Sequence, residues 1–193
     1  MIKAVIFDYY GVLTTDQYLS WLHRHPEVVS HNQGAIESLS KAQDLGLNTD
    51  EFFARLAAIA KLPVQEVRGE FGIHKVTDRG LVHYIGQLRN LGLKTAILSN
   101  APLSLYDSIA QLGLGHLFDA VLCSEEAGVV KPDPAIFTMI LKRLGLSPDQ
   151  AIFTDDRDYN VQGAEAVGMK GILYTDLANL RLELAKLNIV ASD

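Results

Sequence analysis

Four short segments that carry reactive side chains are spread over nearly the whole chain. Each follows an apolar run or a glycine turn, and together they contain Asp8, Ser99-Asn100, Lys131 and Asp155-Asp156. The carboxyl ends of the strands in a parallel α/β sheet share one edge, so residues just beyond several strands converge there. Three acids, a hydroxyl group and one amine at such an edge suit a metal-assisted reaction on an anion. The sequence therefore predicts one reactive centre built from distant segments.

Asp8 ends the first apolar run, and Gly11 allows the chain to turn sharply away from the sheet soon afterwards. An exposed carboxylate in this place can act as a nucleophile and form an ester or acyl-phosphate intermediate. It could also serve only as a turn or helix cap. Ser99 and Asn100 can donate hydrogen bonds to anionic oxygens, although a Ser-Asn pair is also a common turn.

Lys131 stands directly before Pro132, which restricts the lysine backbone to extended geometry. We therefore expect Lys131 in a stiff loop, where its ammonium group can balance the charge of Asp8 and of an anionic substrate. The adjacent carboxylates of Asp155 and Asp156 repel each other, which favours a compensating cation. Mg²⁺ suits this pair, because it prefers oxygen ligands and commonly takes one or two carboxylates.

Short β-branched runs alternate with amphipathic patterns through most of the chain, which predicts βα units and a parallel sheet. The predicted fold class is α/β, with a doubly wound parallel sheet. Strands are predicted at residues 4–7, 95–98, 120–122, 151–154 and 171–174. Helices are predicted at residues 79–91, 103–112, 134–144, 159–167 and 179–187. The leucine stripe of the last helix either covers the sheet or joins a dimer, so a monomer and a homodimer are both compatible with it.

Residues 15–76 break this alternation, because they lack convincing strands and have helical patterns instead. These patterns cover residues 16–25, 33–45, 49–60 and 63–71. A helical insert directly after the first strand predicts a small cap over the strand ends, while residues 1–14 and 77–193 form the core. Such a lid can exclude water and select the substrate. Within the insert, Arg24 is a candidate for binding an anionic substrate.

The composition predicts a folded, soluble protein. The chain has 193 residues, 48% of them hydrophobic, and a formal net charge of -6. General affinity for nucleic acid is not expected, because phosphate contacts need clustered Lys and Arg. No apolar run approaches the ~20 residues that span a bilayer, so no membrane partner is expected either. Cys123 is the single cysteine, which excludes an internal disulfide and fits a cytoplasmic location.

Together these segments resemble the haloacid dehalogenase (HAD) superfamily of hydrolases. The resemblance runs in the right order over residues 2–174, and it is carried by VIFDYYGVL (5–13), LSN (98–100), VKPDPAIF (130–137) and FTDD (153–156). The place of the insert is similar to that of the helical C1 cap of this family. By this resemblance Asp8 would be the nucleophile. Ser99 and Asn100 would contact the transferring group, and Lys131 would stabilise the intermediate.

The resemblance also implies a Mg²⁺ site. Asp156 would ligate the metal directly, together with Asp8 and the backbone carbonyl of Tyr10. Asp155 would be a second ligand or an acid just outside the ligand set. Asn160 stands where a carboxylate or an amide supports the metal site in this family.

Tyr10 departs from the pattern of the family's phosphatases, which usually carry a second aspartate two residues after the nucleophile. That aspartate protonates the leaving group and then activates the hydrolytic water. A phenol, with an ordinary pKa near ~10, can donate a proton but is a poor base near neutrality. General acid–base catalysis is worth roughly 10² to 10⁴ in rate, so its loss slows turnover without forbidding it. The expected activity is therefore that of a Mg²⁺-dependent phosphatase acting on a small phosphate monoester, whose aspartyl phosphate is hydrolysed slowly or with a substituted base.

Two alternatives remain open from the sequence. L-2-haloacid dehalogenases of this family also commonly have tyrosine at this place, and a halide leaves without a proton. However, they work without metal and carry a Ser-x-Asn-x-x-Asp segment where this chain has Thr154-Asp155-Asp156. The second alternative is a slow or inactive protein that binds a phosphoryl group or a partner.

Overall fold

Five parallel strands form one sheet in the computed structural model, which describes residues 1–71 and 76–191. The strands are β1 (Ala4–Phe7), β2 (Lys94–Ser99), β3 (Ala120–Cys123), β4 (Ala151–Asp155) and β5 (Lys170–Leu173). Their order across the sheet is β3-β2-β1-β4-β5, which confirms the predicted doubly wound fold. The strand order reverses between β1 and β4, and a crevice opens there at the carboxyl ends of the strands.

Ten α-helices accompany this sheet within the described residues. They are α1 (Gln17–Arg24), α2 (Pro26–Asp44), α3 (Thr49–Ala60), α4 (Val64–Glu70), α5 (Arg79–Asn90), α6 (Ser104–Gln111), α7 (Ser124–Ala127), α8 (Pro134–Leu144), α9 (Asp158–Ala166) and α10 (Leu177–Lys186). Short 3₁₀ turns, Gly115–Leu117 and Pro148–Gln150, precede β3 and β4. None of the helices described combines the length and the apolar character that a bilayer crossing requires.

β1 is buried on both faces, because its side chains alternate between two apolar layers. Val5 and Phe7 pack in the layer that contains residues of α5, α6 and α10. Ala4 and Ile6 pack in the opposite layer, which contains residues of α8 and α9. An apolar run without polar alternation is typical of a strand covered on both sides. This double burial places the first residue after β1 at the centre of the sheet edge.

The helices α1 to α4 carry an apolar cluster of their own, separate from the two layers on the sheet. Trp21, Phe52, Leu56 and Val67 are fully buried in this cluster. The two chain segments that join these helices to the sheet run side by side. Thr14 and Thr77 form an antiparallel bridge there, and the amide of Thr15 donates to the carbonyl of Val76 at 3.0 Å. The insert therefore has its own core and two adjacent connections.

The second inserted helix begins earlier than predicted. The sequence pattern placed its start at residue 33, whereas α2 begins at Pro26. Proline is favourable in the first turn of a helix, because its fixed φ is helical and its missing N–H needs no partner there. Asn32 is non-helical (φ -135°, ψ 26°), and its side chain donates to the carbonyl of Val28 at 2.9 Å. This kink obscured the periodicity of the first turns, so the predicted start was wrong.

We expect Leu56→Ala to lower the free energy of unfolding by about 2–5 kcal/mol, because it leaves a cavity in the cluster of α1 to α4. Urea unfolding followed by the fluorescence of Trp21, the one tryptophan of the chain, measures this loss within the same cluster. Leu182→Ala is the matched control, because Leu182 is 57% exposed and its truncation should change stability by no more than about 0.5 kcal/mol. Equal midpoints for the two variants would contradict the prediction.

Candidate active site

Asp8 lies one residue beyond β1, at the point where the strand order reverses. Its amide donates to the carbonyl of Thr154 at 2.9 Å, which continues the pairing of β1 with β4. Its carboxylate oxygen Oδ1 accepts hydrogen bonds from the amide of Tyr9 and the hydroxyl of Ser99, both at 2.7 Å. These two donors orient the carboxylate, and they leave Oδ2 without a hydrogen bond from any residue in the described ranges.

The ammonium group of Lys131 joins two carboxylates inside the protein. Its Nζ lies 3.0 Å from Oδ1 of Asp8 and 2.6 Å from Oδ2 of Asp155, and Lys131 is 3% exposed. Burial by itself lowers the pKa of Lys131, but the two carboxylates outweigh it and raise that pKa. Burial raises the pKa of Asp8, while Lys131 opposes this change and the charge of Asp155 adds to it. Lys131 is therefore a permanently charged link between β1 and β4.

Asn100 holds the backbone of Lys131. Its Oδ1 accepts from the amide of Lys131 at 2.8 Å, and its Nδ2 donates to the carbonyl of the same residue at 3.2 Å. Pro132, the residue after Lys131, packs closely against α9 at Gly163. An added Cβ on Gly163 would lie only 2.6 Å from Cβ of Pro132. The predicted contact of Asn100 with the transferring group stays a prediction. In the structure Asn100 lines the cavity, and both polar atoms of its side chain contact the backbone of Lys131.

Three carboxylates meet beside this lysine. One oxygen from each of Asp8, Asp155 and Asp156 can be chosen so that all three atoms lie within 4.8 Å of one another. Asp155 is held from the other side by the amide of Arg157 at 2.9 Å and by Nδ2 of Asn160, which lies 3.1 Å from both carboxylate oxygens. The predicted acids are thus brought together, and Asn160 supports one of them.

Asp156 differs from the other two acids of the cluster, because no cation among the described residues contacts it. Burial raises its pKa, and the charge of Asp155 adds to this effect. Its Oδ1 is buried without a hydrogen-bond partner in the structure, and so is Oδ1 of Asn160. Gly11, with φ +85°, makes room for the carboxylate, because an added Cβ would lie 2.3 Å from Oδ2 of Asp156. Buried oxygens without partners are costly unless a cation or a donor satisfies them, and this donor set fits Mg²⁺.

Tyr10 lines the same cavity as Asp8. Its ring packs edge-to-face against Tyr9, with the ring centroids 4.9 Å apart. Burial raises the pKa of the Tyr10 phenol, and the neighbouring Tyr9 and Asp16 raise it further. The phenol is therefore protonated throughout the neutral range. It can donate a proton or a hydrogen bond, but it cannot act as a base there.

A cavity of about 380 Å³ lies over this cluster. Ser99, Asn100, Lys131 and Asn160 line it on the side of the sheet edge, and the inserted helices contribute Tyr18, Ser40, Gln43, Asp44 and Phe53. Arg24 does not line this cavity. Its guanidinium group donates to the carbonyl of Glu70 at 3.2 Å, at the contact between α1 and α4. The structure therefore does not bring Arg24 to the other predicted site residues.

Arg157 is a cation of the cavity that the sequence reasoning missed. Its Nη2 lies 3.0 Å from Oδ2 of Asp16, and its Nη1 donates to the hydroxyl of Tyr159 at 3.0 Å. The available signal was its place directly after Asp155-Asp156, because a residue on the same loop emerges at the same sheet edge. Arg157 also connects this loop to the first residue of the insert's helical region, since Asp16 caps α1.

We expect Gly11→Ala to destabilise the protein more than Gly113→Ala. Both glycines have a left-handed backbone, at φ +85° and φ +68°, but no heavy atom lies within 4 Å of a Cβ built on Gly113. Gly113→Ala should cost only the backbone strain, about 1–2 kcal/mol. Gly11→Ala also drives a methyl group into the carboxylate of Asp156, which should add about 1–3 kcal/mol. Urea unfolding without added metal measures both losses, and equal losses would contradict this packing.

Comparison with known proteins places this site in a family. A protein-family model for haloacid dehalogenase-like hydrolases matches residues 2–168. A glyceraldehyde 3-phosphate phosphatase of Methanopyrus kandleri is 40% identical over 85 residues, and the match covers 43% of this chain and 36% of that relative, less than half its length. The sesquiterpene phosphatase astK of Aspergillus oryzae is 27% identical over 194 residues, which is 96% of each protein.

A solved structure shows the same fold. It is that of a HAD family enzyme from Bacteroides thetaiotaomicron in complex with magnesium and inorganic phosphate. It aligns with a TM-score of 0.69 at 18% identity, over 93% of this chain and 99% of that one. The family match, which extends over most of the sequence and includes Asp8, Lys131 and the acid pair, decides the classification. This chain belongs to the haloacid dehalogenase-like hydrolase family.

Proposed function

We propose that this protein is a Mg²⁺-dependent phosphatase that acts on a small phosphate monoester through Asp8. One observation carries the proposal. Lys131 is buried between Asp8 and Asp155, in a cluster where three carboxylates come within 4.8 Å of one another. This arrangement concentrates nucleophile, cation and metal ligands at one sheet edge. The two phosphatases described above, which are similar to this chain, support the same reaction class.

In the proposed reaction, Oδ2 of Asp8 attacks the phosphorus atom of the ester. Tyr9 and Ser99 hold Oδ1 and so keep the other oxygen free for attack. The bond from phosphorus to the leaving alcohol breaks as the acyl-phosphate bond on Asp8 forms. Water then hydrolyses the acyl phosphate and restores the carboxylate. The ammonium group of Lys131 offsets negative charge on the nucleophile and on the phosphoryl group in both steps.

Asp8, Asp155 and Asp156 would hold the metal, together with the backbone carbonyl of Tyr10. When bound, Mg²⁺ supplies positive charge that stabilises the phosphoryl oxygens. The amide groups that contact Asp155, from Arg157 and Asn160, keep its carboxylate oriented toward the cluster. The buried oxygen of Asp156 that lacks a partner supports this assignment.

In this proposal, the phenol of Tyr10 donates a proton to the leaving alcohol. The phenolate left by this donation takes a proton back from solvent, and the raised pKa then keeps the phenol protonated near neutral pH, so Tyr10 does not activate water for the second step. We therefore propose that hydrolysis of the acyl phosphate is slow. The inserted helices, residues 15–76, act as a cap that shields the cavity and contacts the leaving group. The single buried cysteine favours a reducing compartment, so we place the reaction in the cytoplasm.

Dehalogenation is the second candidate, and Tyr10 is the residue that favours it, because a halide leaves without a proton. The charge of the site opposes it, since Asp155 and Asp156 stand beside the nucleophile and repel a carboxylate substrate. Halide release from L-2-chloropropionate, assayed with and without a chelator, separates the two reactions. Halide release that persists in the chelator would favour dehalogenation over the phosphatase.

We expect Asp8→Asn to lower the turnover of phosphate monoesters on the order of 10³-fold or more, because the amide cannot form the acyl phosphate. A panel of small phosphate esters, assayed for released phosphate with Mg²⁺ and with EDTA, measures this loss, and EDTA should remove the wild-type activity. Asp149→Asn is the matched control, since Asp149 is an exposed acid at the opposite end of β4. Activity that survives Asp8→Asn would rule out the mechanism.

Tyr10→Asp should raise the rate of turnover by roughly 10² or more, because it supplies a group that can both donate and accept a proton. Tyr10→Asn is the control of matched size, which opens the same space without an ionisable group. Steady-state rates with the best ester of the panel, in saturating Mg²⁺, make the comparison. If the two variants have equal rates, the missing base does not limit turnover.

A further inference from the structure

Asp44 is a carboxylate in the cavity that the proposed reaction does not use. It ends α2 and lines the cavity together with Asp8. Within residues 1–71 and 76–191, no side chain forms a hydrogen bond or an ion pair with its carboxylate. The cations that line the cavity are engaged elsewhere, since Lys131 contacts Asp8 and Asp155 while Arg157 contacts Asp16. Asp44 is half-buried, and a partly buried carboxylate without a partner is stabilised by a cation that binds beside it.

The ionisation of Asp44 reflects this environment. Burial raises the pKa of Asp44 to about 6, although the positive charges of Arg157 and Lys131 lower it. Asp16 adds a small increase. At pH 7.5 the carboxylate is therefore mainly ionised, and a bound cation would stabilise that form further.

The backbone of Asp44 is fixed against the core. The hydroxyl of Ser124, at the start of α7, donates to the carbonyl of Asp44. Gly46, two residues after Asp44, packs against Glu125 of α7. An added Cβ on Gly46 would lie only 2.5 Å from Cδ of Glu125. This contact holds the end of α2 where the insert meets the core. The carboxylate therefore has a defined place in the cavity wall.

Aromatic rings of the insert line the same cavity. Phe53 and Phe71 pack edge-to-face with ring centroids 4.9 Å apart, and Tyr18 is a third ring. The hydroxyl of Tyr18 donates to the carbonyl of Ile36 at 3.1 Å, so its polar end is already satisfied. The guanidinium group of Arg68 already lies over the ring of Phe53, 4.5 Å from its centroid, which leaves Tyr18 and Phe71 as the rings for a ligand. A carboxylate and aromatic rings in one cavity suit a cationic group.

We propose that Asp44 binds an ammonium group on the leaving-group side of the substrate, so that the substrates are small phosphate monoesters of amino alcohols. This inference rests on the proposed phosphatase function and specifies its substrate class. The phosphoryl group lies at Asp8 and Lys131, and the amino group extends toward Asp44 and the aromatic rings. Asp44 thereby selects among esters without entering the phosphoryl transfer itself.

The test compares two phosphonates that a phosphatase cannot hydrolyse. 2-Aminoethylphosphonate and propylphosphonate have the same number of heavy atoms and differ in the ammonium group. Titration calorimetry of the wild-type protein with Mg²⁺ at pH 7.5 should show that the aminated compound binds roughly 10- to 100-fold more tightly, as expected for a hydrogen bond between charged groups. In Asp44→Asn this ratio should fall to within about threefold.

Two further variants separate recognition from general effects. Asp44→Glu keeps the charge and should retain part of the preference. Glu37→Gln removes an exposed charge from the same helix and should keep the full preference. An equal affinity of the wild type for both phosphonates, or a preference that persists in Asp44→Asn, would overturn the inference. The inference is also overturned if neither phosphonate binds, or if 2-hydroxyethylphosphonate binds as tightly as 2-aminoethylphosphonate.

Turnover distinguishes this inference from the proposed function. O-Phosphoethanolamine and propyl phosphate are assayed for released phosphate with Mg²⁺. If the ammonium preference is found in binding but neither ester is hydrolysed, the phosphatase proposal fails and the role of Asp44 stands. If both esters are hydrolysed with equal kcat/KM and Asp44→Asn does not change their ratio, the phosphatase stands and the role of Asp44 fails.

Discussion

The buried ammonium group of Lys131, held between Asp8 and Asp155, is the interaction on which the rest of the site depends. Taking three charged groups out of water is expensive, and only their close mutual contacts offset this cost. Removing one partner from such a group typically costs about 3–5 kcal/mol, because a buried charge is left uncompensated. Much of the surrounding structure serves to keep these three groups in contact.

That support comes from distant parts of the chain. The neighbouring strands β1 and β4 bring Asp8 and Asp155 to one level of the sheet edge, through the register that pairs Phe7 with Thr154. Asn100, one residue beyond β2, holds the backbone of Lys131 from the other side. These contacts join β1, β4, the residue after β2 and the loop before α8, so the site is intact only when the central part of the sheet is complete.

Charge balance also underlies the proposed metal site and the proposed binding of a cationic substrate group. Lys131 is shared by two acids, and Arg157 is paired with Asp16, which leaves Asp156 and Asp44 without a cation in contact among the residues described. The two free carboxylates differ in surroundings. Asp156 lies in the cluster of acids, where we propose a small divalent ion, whereas Asp44 shares its cavity with aromatic rings, where we propose an organic cation. The same excess of negative charge therefore supports both proposals.

The sequence by itself determined the sheet and the residues at its edge. Buried strands have a local apolar pattern, and parallel strands place their carboxyl ends together, so the convergence of Asp8, Lys131 and the Asp155-Asp156 pair followed from order and spacing. The tertiary structure decided which residues of the inserted helices line the cavity. Arg24 lies away from it while Asp44 lines it, and Asn100 turns to the backbone of Lys131. These outcomes depend on how helices pack against one another and on the core, and helical periodicity within one segment does not contain that information.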